Sequence, residues 1–303
     1  MKRIIYVHGR DYKPKQKYLE DYWNETIEKG LFRDFGEETV DKFKSTKVEM
    51  AYYGNISNEN LKKYLDPYNE NDDIFDRKEC LDKLSSYLKS DFSHSTYCDL
   101  PGKTSLPELV LGTISAPLSF FGLADDVVSI AAPDMKDYWN QNKSFGSDIR
   151  APLTKILLEA LNNDDEVLLI SHSLGTIISY DVLWKFSHTS KYKQIKEKKV
   201  HTWITMGSPL GDEDIKKRIK GAKETKEKKY PININKWFNI ASKDDYIAHD
   251  KNISNDFKKM NVTKNDIRNY NLALNNEKSN PHFEAGYLIS PEIVNIVAEW
   301  LHS

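Results

Sequence analysis

The chemistry in this sequence centres on a serine between a strand-like run and a helix-like run. In "VLLISHSLGTII" (residues 167–178), apolar residues lead to Ser173 and resume directly after Gly175. A strand followed by small-x-Ser-x-Gly and a helix is the pattern of a nucleophile elbow, whose sharp turn exposes the serine hydroxyl and needs small neighbours. Gly175 meets that need, and Ser171 stands where glycine is usual. The pattern predicts that Ser173 is a nucleophile.

A nucleophilic serine needs a base to take its proton and a carboxylate to orient that base. In folds with this elbow the acid and then the histidine follow the serine along the chain. The stretch "NIASKDDYIAHD" offers Asp245 as the acid, with the adjacent Asp244 as its competitor. The stretch "NPHFEAGYL" offers His282 as the base. Its rival His249 follows Asp245 too closely to leave room for a last strand, so His282 is the predicted base.

The same chemistry requires N–H donors for the negative oxygen of a tetrahedral intermediate, each worth about 10²–10³ in rate. One is expected to be the backbone N–H of Leu174, directly after the serine. The second is expected from the loop after an early strand, and "YVHGRDYKP" fits because Gly9 allows the backbone to bend there. The backbone N–H of Arg10 is the predicted second donor.

The elements that would position these groups alternate between short apolar runs and helical segments. The predicted strands are 4–8, 47–53, 166–171, 200–206, 236–241 and, more weakly, 267–272. Residues 148–161 carry an apolar stripe at helical spacing, and a final helix is expected to start at Pro291 with Ser290 as its cap. Buried strands alternating with helices predict an α/β fold, with a mostly parallel sheet flanked by helices.

The alternation stops between about residues 55 and 147, inside what is predicted to be a single domain over 1–303. Residues 76–90 look helical, and residues 106–133 are apolar but interrupted by Gly and Pro. This segment is interpreted as a helical cap inserted over one end of the sheet, lining an acyl pocket, because long insertions in such sheets lie near the ligand crevice. Ordinary helix packing is the alternative.

Composition narrows the function classes. The chain of 303 residues is 39% hydrophobic and 30% charged, with a formal net charge of −2. That balance predicts a globular protein without the basic footprint of nucleic-acid binding. No apolar run is long enough to span a bilayer or to form a signal-peptide core, so a cytoplasmic location without stable membrane insertion is expected. Glycine-rich phosphate loops and metal-ligand spacings are missing from the sequence, so no cofactor and no metal are predicted.

These stretches, together with "IIYVHGR" and "TWITMGSPLG", resemble the α/β-hydrolase superfamily, and within it the serine esterases and lipases. The matching stretches extend from residue 4 to 288 and leave 55–147 unmatched. The resemblance implies metal-free, two-step acyl transfer by Ser173, Asp245 and His282.

The expected function is hydrolysis of a carboxylic ester through an acyl-enzyme, with an apolar acyl group under the cap and a small-molecule or lipid ester as substrate. Two alternatives remain open at this point. One is a phospholipase or lipase that acts at lipid surfaces. The other is a binding protein on a hydrolase scaffold that performs no turnover.

Overall fold

A computed structural model of the chain describes residues 1–102, 133–248, 250 and 252–303. The cap predicted over 106–133 lies outside the described residues except at residue 133. His249, the rival of His282, also lies outside them.

Within the described residues, six strands form one parallel sheet. They are β1 (Lys2–Val7), β2 (Lys47–Met50), β3 (Glu166–His172), β4 (Val200–Met206), β5 (Ile234–Ser242) and β6 (Thr263–Asn269). Their order across the sheet is β2-β1-β3-β4-β5-β6, with every neighbouring pair parallel. Two short antiparallel strands, β7 (Leu274–Asn275) and β8 (Lys278–Ser279), form a separate hairpin.

Helices surround the sheet. They are α1 (Gln16–Phe35), α2 (Glu37–Ser45), α3 (Gly54–Leu61), α4 (Glu70–Ser85), α5 (His94–Cys98), α6 (Pro133–Trp139), α7 (Phe145–Asn162), α8 (Leu174–His188), α9 (Glu213–Arg218), α10 (Ile253–Asp256), α11 (Glu284–Leu288) and α12 (Pro291–His302). The predicted fold class, an α/β fold with a mostly parallel sheet flanked by helices, is confirmed.

The sheet separates two hydrophobic cores because successive side chains of a strand point to opposite faces. In β1, Ile5 and Val7 belong to the core that holds the buried faces of α7 and α8. Ile4 and Tyr6 belong to the other core, against α1, α2, α4 and α12. The central strands are therefore buried on both faces, as their continuous apolar runs predicted.

The predicted last helix is confirmed. It begins at Pro291, and the side chain of Ser290 accepts a hydrogen bond from the backbone N–H of Ile293. A serine cap followed by proline at the first helical position satisfies free N–H groups and presets the backbone.

A crevice is expected where the strand order reverses. After β1 the chain crosses to β2 on one side, and β3 then adds on the other side of β1. Ligands of such sheets bind outside the carboxyl ends of the strands at this switch point. The loop after β1 and the turn after β3, which carry the predicted site residues, meet at this point. Across the described part of the chain, no helix has the length and apolar character to cross a bilayer.

Candidate active site

Ser173 occupies a strained turn between β3 and α8. Its φ of 51° and ψ of −123° lie where non-glycine residues are uncommon. Gly175 explains the tightness of the turn, since a Cβ at that position would lie 2.4 Å from the carbonyl oxygen of Val7 and 2.5 Å from that of His8. Only glycine fits this approach of α8 to β1, which is the demand that the sequence pattern indicated.

Ser171, in place of the usual glycine, is accommodated by hydrogen bonds. Its hydroxyl lies 2.7 Å from the hydroxyl of Ser179 on α8 and accepts a 3.1 Å hydrogen bond from Nε1 of Trp203 on β4. These contacts satisfy a buried hydroxyl and tie the strand to the helix on either side of the turn.

A row of hydrogen bonds runs from Ser173 to a carboxylate. Nε2 of His282 lies 3.0 Å from Oγ of Ser173, and Nδ1 of His282 lies 2.9 Å from Oδ2 of Asp245. With the proton on Nδ1, the ring donates to the carboxylate and accepts from the serine hydroxyl. The structure thus brings together the three side chains that the sequence grouped, from loops that follow β3, β5 and the β7–β8 hairpin.

The choice between the two adjacent aspartates follows from their partners. Asp245 is 2% exposed and contacts His282, whereas Asp244 accepts a 3.0 Å hydrogen bond from Tyr97. The hydroxyl of Tyr287 donates to Oδ2 of Asp245 at 2.5 Å, and the backbone N–H of Ile247 donates to Oδ1 at 2.9 Å. These donors fix the carboxylate in a single orientation.

The same contacts keep Asp245 ionised. Burial alone would raise the pKa of this carboxyl, but the nearby His282 and the hydrogen bonds from His282 and Tyr287 hold it below its ordinary value. A buried carboxylate that stays charged can orient a neighbouring imidazole and stabilise it when it gains a proton.

Gly207 leaves space for the side chains of His282 and Asp245. It follows β4 with a φ of 54°, and a Cβ there would lie 2.9 Å from Nδ1 of His282 and 3.0 Å from Oδ2 of Asp245. Glycine therefore serves two needs at once, a left-handed backbone and close contact with the histidine and the carboxylate.

The loop after β1 is held tightly beside the serine. The hydroxyl of Tyr53 donates to the carbonyl of His8 at 2.5 Å and to that of Gly9 at 3.2 Å. Arg10 and Leu174, the two residues whose backbone N–H groups are predicted donors, both line the pocket that contains Ser173. The structure therefore brings both predicted donor residues to the serine's pocket.

Two buried histidines support the site without a charge. His172 places Nε2 2.9 Å from the carbonyl oxygen of His282, and His8 places Nδ1 2.8 Å from that of Gly9. Burial lowers the pKa of each to about 3, with Lys13 adding to the effect on His8 and His282 to that on His172. Both rings are neutral near pH 7 and hold the loops that carry the predicted site.

These two histidines should make the protein sensitive to acid. Unfolded histidine binds a proton below pH 6.5, whereas His8 and His172 resist protonation down to about pH 3. Between those values the unfolded state binds more protons, so the free energy of unfolding should fall as pH falls. Each histidine should contribute up to about 1.4 kcal/mol per pH unit. Urea unfolding between pH 7 and 4.5 measures how the free energy of unfolding changes with pH. In His172→Gln the number of protons taken up on unfolding should be lower by about one. A pH dependence equal to that of the wild type would contradict this prediction.

The pocket at Ser173 is lined by apolar and by polar side chains, which are called here its apolar wall and its polar wall. Its volume of about 150 Å³ suits a group the size of a benzene ring. The apolar wall consists of Met135, Leu174, Ile177, Pro209, Ile247 and Phe283. The polar wall includes Lys13, Asp73, Arg77, Asn280 and Glu284. A ligand with both apolar and polar groups matches this lining.

The polar wall contains a buried ion cluster. Nε of Arg77 donates to both carboxylate oxygens of Asp73 at 3.0 and 3.1 Å, and Nη1 donates to Glu284. Burial would raise the pKa of Glu284, but the positive charges of Arg77 and Lys13 hold it below its ordinary value. Arg77 is therefore already paired with two carboxylates.

In residues 1–102, 133–248, 250 and 252–303, no group of three or more His, Cys, Asp or Glu side chains is arranged to bind a metal ion.

Comparisons with known proteins give no match: no protein-family model, no curated protein and no solved structure corresponds to this chain.

Several residues that shape the site were not predicted from the sequence. Tyr287 stands five residues after His282 in a buried helix, and nothing local marks it as a partner of Asp245. Lys13 and Arg77 belong to separate polar segments that only the fold brings to one pocket. The first glycine of "MGSPLG", Gly207, offered a usable signal because it directly follows a buried strand at the carboxyl edge of the sheet.

Proposed function

We propose that this protein is a serine hydrolase that cleaves a carboxylic ester, and that it belongs to the α/β-hydrolase superfamily. The observation that carries the proposal is the row of hydrogen bonds from Ser173 through His282 to Asp245, at 3.0 and 2.9 Å. The strained backbone of Ser173 supports it, because strain of this kind persists only where the surrounding structure holds it in place.

In the proposed reaction, Oγ of Ser173 attacks the ester carbonyl while Nε2 of His282 takes the hydroxyl proton. The resulting tetrahedral intermediate expels the alcohol, which receives that proton from His282, and an acyl-serine ester remains. Water then attacks the acyl carbon with His282 again acting as base, and the acid leaves. Asp245 keeps the imidazole in the required tautomer and stabilises its charged form in both steps.

The backbone N–H groups of Leu174 and Arg10 are the proposed donors to the intermediate's negative oxygen. Leu174 opens α8, so its N–H belongs to the first turn, where backbone N–H groups lack partners within the helix. Fixed donors in a site shielded from water stabilise developing charge strongly because they need no reorganisation.

The proposed substrate is a small-molecule or lipid ester with an apolar acyl group. Leu174, Ile177 and Pro209 provide an apolar surface next to Ser173.

Acyl transfer to Ser173 is the direct test. The leaving group of p-nitrophenyl butyrate is activated, so acylation of Ser173 should be faster than hydrolysis of the acyl-serine. Acid quenching followed by peptide mass spectrometry should find a butyryl group on the peptide that contains Ser173. Turnover with no acyl group on that peptide would contradict the mechanism. Activity that appears only above the micelle concentration of a longer ester would instead favour a lipase.

A further inference from the structure

Tyr287 contacts the proposed acid through a hydroxyl whose hydrogen-bond directions are fixed. Its side chain is fully buried, and its hydroxyl donates to Oδ2 of Asp245 at 2.5 Å and accepts from the backbone N–H of Ser242 at 2.9 Å. A phenolic hydroxyl has a single proton. Because the N–H of Ser242 can only donate, that proton points to Asp245. Burial and the negative charge of Asp245 raise the pKa of Tyr287 well above its ordinary value, so the hydroxyl keeps its proton.

The oxygen of Asp245 that binds Tyr287 also binds the proposed base. Oδ2 lies 2.9 Å from Nδ1 of His282, so it accepts hydrogen bonds from both side chains. Each donor draws negative charge from the carboxylate and so weakens its attraction for a second proton on the imidazole. Without the hydroxyl of Tyr287, the carboxylate would stabilise the protonated ring of His282 more strongly.

Ser242 extends this contact to the loop that carries His282. Its hydroxyl accepts from the backbone N–H of Asn271 at 2.9 Å. The side-chain amide of Asn271 in turn donates to the carbonyls of Pro281 and Phe283, at 3.1 and 2.8 Å, on either side of the histidine. Both Ser242 and Asn271 are fully buried. The acid and the base are therefore held by one buried hydrogen-bond network.

We infer that Tyr287 is a positioning residue, whose hydrogen bond to Asp245 sets the lowest pH at which His282 acts as base. The inference rests on the proposed hydrolase function. In that reaction only the neutral ring of His282 can take the proton of Ser173. The hydroxyl weakens the hold of the carboxylate on the protonated ring, so the ring stays neutral to lower pH. It also keeps the carboxylate facing Nδ1.

Other titratable and charged groups lie near the acid and the base. The ring of His172 packs against that of His282 with centroids 4.7 Å apart, and Tyr97 donates to the adjacent Asp244. The remaining groups line the pocket: Arg10, Asp11, Lys13, Asp73, Arg77 and Glu284. A change confined to the hydroxyl of Tyr287 leaves all of them in place, so its effect reports that hydroxyl.

The test uses two changes that alter the hydrogen bond in opposite directions. Tyr287→Phe removes the hydroxyl, whereas Tyr287→3-fluorotyrosine makes it more acidic, and hence a stronger donor, with almost the same shape. In the pH profile of kcat/KM for p-nitrophenyl butyrate, the acidic midpoint should rise by about one pH unit in Tyr287→Phe. It should fall by a smaller amount in the fluorinated variant. On the plateau above the midpoint, Tyr287→Phe should lose about tenfold in kcat/KM.

The matched control is Tyr97→Phe, which removes a hydroxyl that donates to the adjacent aspartate, Asp244, at 3.0 Å. It should keep the wild-type midpoint and plateau. Equal midpoints in the wild type and both variants of Tyr287 would overturn the inference, as would an equal shift in Tyr97→Phe. If Tyr287→Phe does not fold, the fluorinated variant decides alone, because it keeps both ring and hydroxyl. A lower midpoint then supports the inference, and an unchanged one overturns it.

An NMR titration of the His282 ring separates this inference from the proposed function. The ring signals, assigned by their loss in His282→Gln, report protonation without any substrate. A midpoint that rises in Tyr287→Phe and falls in the fluorinated variant, in a protein without turnover, would uphold the control of His282 by Tyr287 and reject the hydrolase proposal. Turnover that is lost in Ser173→Ala, with one midpoint in all forms of Tyr287, would do the reverse.

Discussion

Replacing Ser173 by alanine is expected to lower the hydrolysis of p-nitrophenyl butyrate by more than about 10⁴-fold. The hydroxyl is the proposed attacking group, so its loss removes the acyl-enzyme route and leaves only what the pocket and the backbone donors provide. The measurement is kcat/KM for the wild type and the variant under identical conditions.

The control for this variant is a serine on the same helix. Ser187 is buried, and its hydroxyl donates a 2.9 Å hydrogen bond to the carbonyl of Leu183, far along α8 from the turn. Ser187→Ala should change stability but not kcat/KM. Both variants should unfold cooperatively in urea, which separates lost chemistry from lost structure. A Ser173→Ala protein with more than about a tenth of the wild-type activity would remove Ser173 from the mechanism.

Replacing Asp245 by asparagine is expected to lower kcat by about 10³- to 10⁴-fold. Asparagine nearly matches the carboxylate in shape, but its NH₂ group cannot accept the proton of Nδ1. The imidazole then favours the wrong tautomer, and no negative charge balances the protonated ring. The loss should therefore fall on kcat far more than on KM.

Asp244→Asn is the matched control for this change. Asp244 has a φ of 61°, which asparagine adopts readily, and its carboxylate contacts Tyr97 rather than His282. The control should remain within about threefold of the wild type, as expected for a change of about 0.6 kcal/mol or less. Equal losses of kcat in the two variants would mean that any substitution in this loop disturbs the site. A larger loss in Asp244→Asn would assign the role of the acid to Asp244.

The sequence was most informative where local pattern and chemistry coincide. The elbow around Ser173 could be predicted because the turn accepts few residue types, and Gly175 faces backbone carbonyls at 2.4 and 2.5 Å. The central strands could be predicted because burial on both faces leaves continuous apolar runs. Chain order then pointed to Asp245, which follows β5, and to His282, which the sequence placed between the weak strand at 267–272 and the last helix.

Element boundaries were less predictable where polar residues fold. The edge strand β6 covers Thr263–Asn269, whereas the apolar pattern indicated 267–272, because an edge strand keeps exposed polar side chains. The helix expected over 76–90 covers Glu70–Ser85. Its first turn is acidic and capped by Asn69, so the apolar pattern began only inside the helix.

Contacts between distant segments could not be predicted from local pattern at all. The pairing of Arg77 with Glu284 joins α4 to α11, and the hydrogen bond between Asn58 and Lys13 joins α3 to the loop after β1. Each depends on the packing of several elements, and neither leaves a period or motif in the sequence. The polar half of the pocket is therefore visible only in the structure.

The most direct test of an activated Ser173 is covalent labelling with a fluorophosphonate probe. The reaction needs a nucleophilic serine and a base but no knowledge of the substrate. The wild type should gain one adduct per chain, mapped by peptide mass spectrometry to Ser173, and Ser173→Ala should gain none. A folded wild-type protein that stays unlabelled, or that carries the adduct on another residue, would contradict the proposal that Ser173 is the nucleophile.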